Sequence, residues 1–371
     1  MDLFAVCAPG LEAVLAAELG ALQLEAHAVS GGAELEGHLG DVARLNLWLR
    51  TASRVLVRLG EFRATTFAEL VRKAAGLPFE TVAAPGRPVA WRVTCRKSRL
   101  YHSGAVAQRL HEALQERLGA PVSVADHDEE AARPPQLLLA RFDHDVCTVS
   151  ADSSGALLHR RGYRIARSQA PLRETLAAAM LLAAGFDGTQ PLLDPLCGAG
   201  TIPIEAALIA RRRAPGLERE FAFQQWRGFD GGRFAALRRK AREQELPRAP
   251  APIAGSDADP AAIAAARENA RRAGVAEDIH VERLALGKAQ PPPVRGGLIV
   301  TNPPYGMRLR ADVPRLYAEL NDLARRSSYR LAALVTDRRI AQQAGIAGEP
   351  RLRTVNGGVN VELLVTQDGR N

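Results

Sequence analysis

Apolar residues recur along this chain in two rhythms. Period two over short stretches predicts strands, and a period near 3.6 over longer ones predicts helices. In the first half, Leu3-Phe4-Ala5-Val6 predicts a strand, Leu11 to Leu19 a helix, and Asp41 to Leu49 a second helix with Asp41 as its cap. Val55 to Phe62 and Val89 to Cys95 alternate as strands do, and His102 to about Leu118 forms an amphipathic helix. The second half repeats short apolar strands, several followed by helices. These begin with Leu192-Leu193-Asp194 and the helix through Glu205 and Ile209, then Ile253 to Asp257 and a helix ending near Ala273, before Gly274. Ile279 to Leu286, Leu298 to Val300 and Leu331 to Thr336 are further strands, with a helix over Val313 to Arg325. Arg351 to Val355 and Val359 to Thr366, around Asn356-Gly357-Gly358, predict a terminal β-hairpin. Alternation of strand and helix implies an open α/β sheet, whose ligands bind at the carboxyl ends of the strands.

Composition narrows the function classes without choosing one. The 371 residues suffice for two or three domains, and 49 Lys and Arg against 41 Asp and Glu give a net charge of +8 that suits polyanions. Many basic proteins never meet nucleic acid, so charge alone is modest support. Cys7, Cys95, Cys147 and Cys197 lie far apart without metal-ligand spacing, so neither a metal site nor a disulfide framework is expected. No apolar run reaches membrane-span length, and the start Met-Asp-Leu-Phe-Ala-Val lacks a basic leader, so a cytoplasmic protein without a membrane partner is expected.

Candidate chemistry gathers at predicted strand ends. Thr301-Asn302-Pro303-Pro304-Tyr305 follows an apolar strand. The Asn302 side-chain oxygen and the Pro303 carbonyl are two acceptors able to orient an exocyclic amine, and Tyr305 offers a flat face to a base taken out of its stack. A rigid turn would use the same residue types. In Asp194-Pro195-Leu196-Cys197-Gly198-Ala199-Gly200-Thr201, Gly198 and Gly200 allow close approach of a ligand, and Asp194 ends the strand beside them. The third glycine of the dinucleotide fingerprint is absent, because Pro203 occupies its place. Asp257 ends the next strand where an acid accepts from ribose hydroxyls, whereas Asp259 before Pro260 is a helix cap. Cys197 is read as packing.

Taken in this order, Leu-Asp-Pro-Leu-Cys-Gly-Ala-Gly-Thr, Gly-Ser-Asp-Ala-Asp-Pro and Thr-Asn-Pro-Pro-Tyr-Gly resemble the motifs of S-adenosylmethionine-dependent methyltransferases acting on exocyclic amines. His159-Arg160-Arg161-Gly162-Tyr163-Arg164 and Ala170-Pro171-Leu172-Arg173-Glu174-Thr175-Leu176 are similar to THUMP-containing RNA methyltransferases, especially those modifying guanine N2 in 23S ribosomal RNA. The resemblance implies a Rossmann-like class I sheet of seven strands with an antiparallel last hairpin, behind an N-terminal α+β region. It divides the chain into a ferredoxin-like segment over residues 1–50, a THUMP-like region over 51–155, a linker over 156–170 and the methyltransferase domain over 171–371. It also implies S-adenosylmethionine held by Asp194, Pro195, Gly198, Gly200, Thr201 and Asp257, with catalysis by Asn302, Pro303, Pro304 and Tyr305. RNA contacts would come from Arg96, Lys97, Arg99 and Tyr101 and from the linker residues Arg160, Arg161 and Arg164, although either basic group could be a solvated loop. No metal is needed, and no protein partner is inferable.

Two features depart from a compact nucleotide-binding unit. Residues 211–252 form an insertion that mixes Arg211-Arg212-Arg213 and Arg238-Arg239-Lys240 with five aromatics; packing is expected of the aromatics and RNA contact of the arginines. Ala285 stands where an acid is expected to meet the cofactor adenine. The leading expectation is guanine-N2 methylation of 23S rRNA by direct in-line transfer. Alternatives are a tRNA guanine-N2 methyltransferase, an adenine-N6 methyltransferase of RNA or DNA, and, from another class, a noncatalytic RNA-binding assembly factor.

Overall fold

Alternation on Asp2–Val6 (β1) sends Leu3 and Ala5 into the core and leaves Phe4 and Val6 on the opposite face. The computed structural model describes residues 1–126, 134–164, 172–304 and 313–367. After β1 come Glu12–Ala21 (α1), His27–Val29 (β2), Gly32–Glu36 (β3), Leu39–Trp48 (α2), Arg54–Arg63 (β4), Phe67–Ala74 (α3), Val89–Arg96 (β5), Ser103–Leu118 (α4), Gln136–Asp143 (β6) and Val146–Asp152 (β7). These strands make one seven-stranded sheet in the order β2-β3-β1-β4-β7-β6-β5. Strand β4 pairs with β1 on one side and β7 on the other, so residues expected to form two successive modules share a single sheet.

The start of α2 differs from expectation. His38 is the cap, its Nδ1 accepting from the Asp41 amide at 3.2 Å, while the Asp41 carboxylate accepts from the His38 amide at 3.0 Å. Asp41 therefore sits three residues into the helix as the reciprocal half of a capping box.

The second half comprises Glu174–Ala183 (α5), Leu192–Asp194 (β8), Thr201–Ala210 (α6), Gly231–Glu243 (α7), Ile253–Asp257 (β9), Pro260–Arg272 (α8), Ile279–Arg283 (β10), Leu298–Thr301 (β11), Val313–Ser327 (α9), Arg330–Val335 (β12), Arg338–Gln343 (α10), Gly348–Asn356 (β13) and Val359–Thr366 (β14). Its sheet runs β10-β9-β8-β11-β12-β14-β13, parallel through β12 and antiparallel where β14 meets β12. This is the expected α/β class, with the hairpin beginning earlier than its sequence pattern suggests. The chain moves outward from β8 to β10 and returns to β11 on the other side of β8, so the strand order reverses between β8 and β11. Ligands of open α/β sheets lie at such a reversal. No helix among the described residues is long and apolar enough to cross a membrane.

A buried polar cluster joins the halves through α6. Glu205 on α6 is fully buried, lies 3.6 Å from the Arg161 guanidinium and accepts from the Tyr163 hydroxyl at 3.1 Å. Arg161 also donates to the carbonyls of Arg50 and Leu158. The Arg50 side chain reaches the carbonyl of Leu208 in the last turn of the same helix at 3.3 Å and that of Arg213 just beyond it at 2.7 Å. Burial pushes the Glu205 carboxyl upward in pKa, and Arg161 and Arg50 pull it back. Arg161 is thus an internal cation, placed out of reach of a polyanion by its burial.

The insertion acts as a clasp between the halves. Phe221, Phe223, Phe229 and Phe234 pack ring against ring at 5.3–6.2 Å. The Trp226 indole donates to Gln136 on β6 at 2.7 Å, and the amides of Gly216, Phe223 and Arg227 bond to Leu47, Ser153 and Thr81 in the first half. Its aromatics are packing, as expected. Arg211 is held by Glu245 at 2.6 Å and Asp278 at 3.4 Å, Arg213 by Glu245 at 3.0 Å, and Arg238 lies over the Phe234 ring. These three arginines are half-buried and engaged within the protein, whereas Arg212, Arg239 and Lys240 of the same two runs are exposed.

Removing one partner of a buried pair strands the other charge, which costs about 3–5 kcal/mol. Arg161→Ala is expected to lower the unfolding free energy by about 3 kcal/mol in a urea titration. A loss below about 1 kcal/mol would show that Arg161 is not a structural cation.

Candidate functional site

Three adjacent strands, β9, β8 and β11, end together and deliver most of the residues expected to act. Strand β8 runs into the turn before α6, where Gly198 and Gly200 adopt φ of +52° and +82°. A Cβ on Gly200 would approach the Ala266 Cβ of α8 to 3.0 Å in a conformation side chains avoid, so glycine is required there. Over Gly198 a Cβ would meet nothing within 4 Å, leaving space for a ligand against the backbone.

Asp257, at the end of β9, accepts from the Gly198 amide at 3.0 Å through one oxygen and from the Asp259 amide at 2.9 Å through the other. It holds the glycine turn in shape and keeps lone pairs for a hydroxyl-bearing ligand. Asp259 caps α8 through the Ala261 amide at 2.9 Å, with Pro260 at the first helical position, as the sequence predicts. Asp194, expected at the cofactor, makes structural bonds within the protein. It is 1% exposed and turns to the Thr301 hydroxyl at 2.8 Å and the Leu196 amide at 3.2 Å. Burial, together with nearby Asp257, raises its pKa to about 7 against the pull of those bonds. Its role in the structure is to tie β8 to β11. Thr301 is the other half of this tie, and a hydroxyl ending a fully apolar strand is its signal in the sequence.

Beyond Thr301, the Asn302 Oδ1 is buried and has no hydrogen-bond partner among the described residues. Pro303 is buried behind it and Pro304 is exposed. Tyr305 lies outside the described residues. Pro195 and Thr201 are buried in the turn and at the start of α6. Cys197 is 6% exposed and burial raises its thiol pKa well above the ordinary range, which makes it a protonated filler of the turn.

The linker residue Arg164 is drawn to this site. Its guanidinium donates to Glu174 at 2.9 Å, to the Leu172 carbonyl at 2.8 Å and to the Thr201 hydroxyl at 3.0 Å, so it braces α5 against the start of α6. Neither Arg164 nor Glu174 was assigned this bracing from sequence, because their partners come from three separate segments. Arg160 is half-buried in the same linker. Arg96, Lys97, Arg99 and Tyr101 are grouped elsewhere, exposed at the junction of β5 and α4 in the other sheet. Ala285 follows β10 and is exposed, and no carboxylate replaces it at that position. No group of three or more His, Cys, Asp or Glu able to hold a metal occurs among the described residues.

Comparison with known proteins identifies the family. Residues 161–358 match the RMKL-like methyltransferase domain, and residues 2–56 match the RlmL ferredoxin-like domain. The chain is 37% identical over 97% of its length to a ribosomal RNA large subunit methyltransferase K/L of Syntrophotalea carbinolica, covering 53% of that protein. It is 33% identical to a candidate RNA methyltransferase of Synechocystis, covering 97% of this chain and 95% of the relative. The solved structure of SMU.472, a candidate methyltransferase complexed with SAH, superposes with a TM-score of 0.89 at 30% identity, covering 100% of this chain and 98% of that one. The chain spans about half the length of the K/L relatives it matches. It belongs to the RMKL-like methyltransferase family.

The raised pKa of Asp194 fixes a pH dependence. The folded state keeps a proton that an unfolded aspartate, at its ordinary 3.8, has released, so stability from this group falls as pH rises from about 4 to 7. Asp194→Asn retains an acceptor for Thr301 and removes the titration. Its advantage in unfolding free energy over the wild type is expected to grow by at least about 1 kcal/mol between pH 4 and pH 7 in cofactor-free protein. An offset that stays constant across that range would contradict the assignment.

Proposed function

We propose that this RMKL-like methyltransferase uses S-adenosylmethionine to methylate an exocyclic base amine of RNA, with guanine N2 in 23S ribosomal RNA as the target. The observation that carries the reading is the Asn302 Oδ1, a buried acceptor with no partner among the described residues, beside a glycine turn at the strand-order reversal. A buried acceptor left unsatisfied costs about 1–3 kcal/mol, a cost that a donor on the substrate removes. Relatives named for the ribosomal large subunit support ribosomal RNA, and the match to an RlmL ferredoxin-like domain supports the same group.

The residues fit the cofactor. Open space over Gly198 suits a ligand lying along the backbone, and Asp257 has remaining acceptor capacity for ribose hydroxyls. S-adenosylmethionine supplies a methyl group on a sulfonium, electrophilic enough that the protein's task is to desolvate and align the amine. Asn302 accepts one amine hydrogen and the Pro303 carbonyl the other, turning the nitrogen lone pair towards the methyl. Both hydrogen bonds strengthen as positive charge grows on nitrogen, which favours the transition state over the ground state. Tyr305, from the adjoining sequence, is proposed to stack on the base. Asp194 acts from beneath by holding β11, and with it Asn302, in register with the turn.

Asn302→Ala is expected to lower methyl transfer at least about 100-fold while leaving affinity for S-adenosylhomocysteine within about threefold. Transfer of labelled methyl to undermodified 23S rRNA and, in parallel, to tRNA, with mass spectrometry of the nucleosides, checks both rate and target. N2-methylguanosine in ribosomal RNA is the expected product. N6-methyladenosine, or incorporation into tRNA alone, would overturn the target, and equal loss of cofactor binding and transfer in the variant would overturn the role of Asn302.

A further inference from the structure

We propose that Arg283 faces the adenine of S-adenosylmethionine and meets it with hydrogen-bond donors, so that the cofactor pocket does not select for the 6-amino group of the base. This rests on the reading of Asp257 as the ribose acid and adds to it the residue that meets the base. The covalent structure of the cofactor sets the direction. Its sulfonium hangs from C5′ of the ribose and its base from C1′, at opposite ends of the sugar. The methyl must reach the amine at Asn302, after β11, and from there the sheet runs β11-β8-β9-β10. With the ribose at Asp257 on β9, the base is carried outward to the end of β10.

The chain offers that place no carboxylate. Exposed Ala258 follows Asp257, and exposed Ala285 opens the short turn Leu286–Lys288 after β10 with no side-chain cap. Glu282, the acid nearest in sequence, alternates to the opposite face of β10 from Arg283 and lies 3.7 Å from His280. Arg283 itself ends the strand and is the register neighbour of Asp257. Such neighbours share a face of the sheet, so the guanidinium stands beside the ribose acid. Each is anchored separately. Asp257 accepts from the amides of Gly198 and Asp259, while the Arg283 Nε donates to the Ala258 carbonyl at 3.2 Å. That one bond fixes the root of an exposed guanidinium and leaves its two terminal nitrogens without a partner among the described residues.

Two parallel donors match two adjacent acceptors. A 6-oxopurine presents N7 and O6, the pair that arginine takes on guanine, whereas adenine presents N7 beside a donating amino group. On adenine one terminal nitrogen of Arg283 finds N7 and the other stays in water, and the flat guanidinium also offers the ring a stacking face. A carboxylate at the end of β10 has the reverse preference, accepting from the amino group and repelling a 6-oxygen. Replacing such an acid by Ala285, with Arg283 two residues before it, removes the contact that tells adenine from hypoxanthine.

The test titrates the full chain with S-adenosylhomocysteine and with S-inosylhomocysteine, its 6-oxo counterpart, by isothermal calorimetry. The wild type is expected to favour the adenosyl compound by no more than about fivefold. Ala285→Asp, which restores a carboxylate, is expected to multiply that preference at least about tenfold. Arg283→Leu keeps an apolar stem and removes the donors, and should weaken S-inosylhomocysteine at least about fivefold and the adenosyl compound less. Arg233→Ala, at an exposed arginine on α7, should change neither affinity, and all variants should keep the ligand-free melting temperature. A larger wild-type preference for S-adenosylhomocysteine would overturn the proposal and leave the cofactor site standing, as would wild-type affinities for both ligands in Arg283→Leu or an unchanged ratio in Ala285→Asp. Failure of the wild type to bind S-adenosylhomocysteine would overturn the cofactor site itself and this inference with it.

Discussion

The grip of two arginines on α6 organises the molecule. Arg161 pairs with Glu205 in the body of the helix, and Arg50 satisfies carbonyls at its carboxyl end. The amino end of the same helix begins in the glycine turn. A buried carboxylate is costly unless matched, so the helix can occupy this place only while the linker and the first half are in theirs. The orientation of the turn, and of everything that turn presents, is therefore referred to the N-terminal sheet.

Within the second sheet a smaller constraint does comparable work. The hydrogen bond from Thr301 to Asp194 crosses between the two strands on either side of the strand-order reversal. Parallel strands at such a point share few backbone bonds near their ends, and the pairing of β8 with β11 covers only Leu192 and Leu193. A buried side-chain bond just beyond that short ladder keeps the glycine turn and the Asn-Pro-Pro turn at a constant separation. The third strand is joined through Asp257, which closes on the Gly198 amide.

Much of this architecture was legible in the chain. Leu192-Leu193, Leu298-Ile299-Val300 and Leu331 to Val335 are unbroken apolar runs, and the caps Asp259-Pro260 and Gly274 bound α8 where expected, because capping is local chemistry. The motif residues of β8, β9 and β11 meet because strand ends in a parallel sheet lie side by side. What escaped were the uses of charged residues whose partners are distant in sequence. Arg161 and Arg164 look like solvated linker charges until Glu205 and Glu174 are folded against them, and the tie of Asp194 to Thr301 exists only once their strands lie side by side. Arg283 stands beside Asp257 only through the register of β10 on β9. His38 displaced Asp41 as a cap because either can fill that position and only backbone geometry chooses between them.

The insertion bears on how such a protein can be taken apart. It leaves the catalytic half between α6 and β9, two elements of the glycine-turn region, and its indole and aromatic core rest on strands and loops of the other half. A catalytic half separated from this N-terminal half would carry an uncovered Trp226 and orphaned amides at Gly216 and Phe223. The two halves are therefore not exchangeable as separate modules without rebuilding this contact.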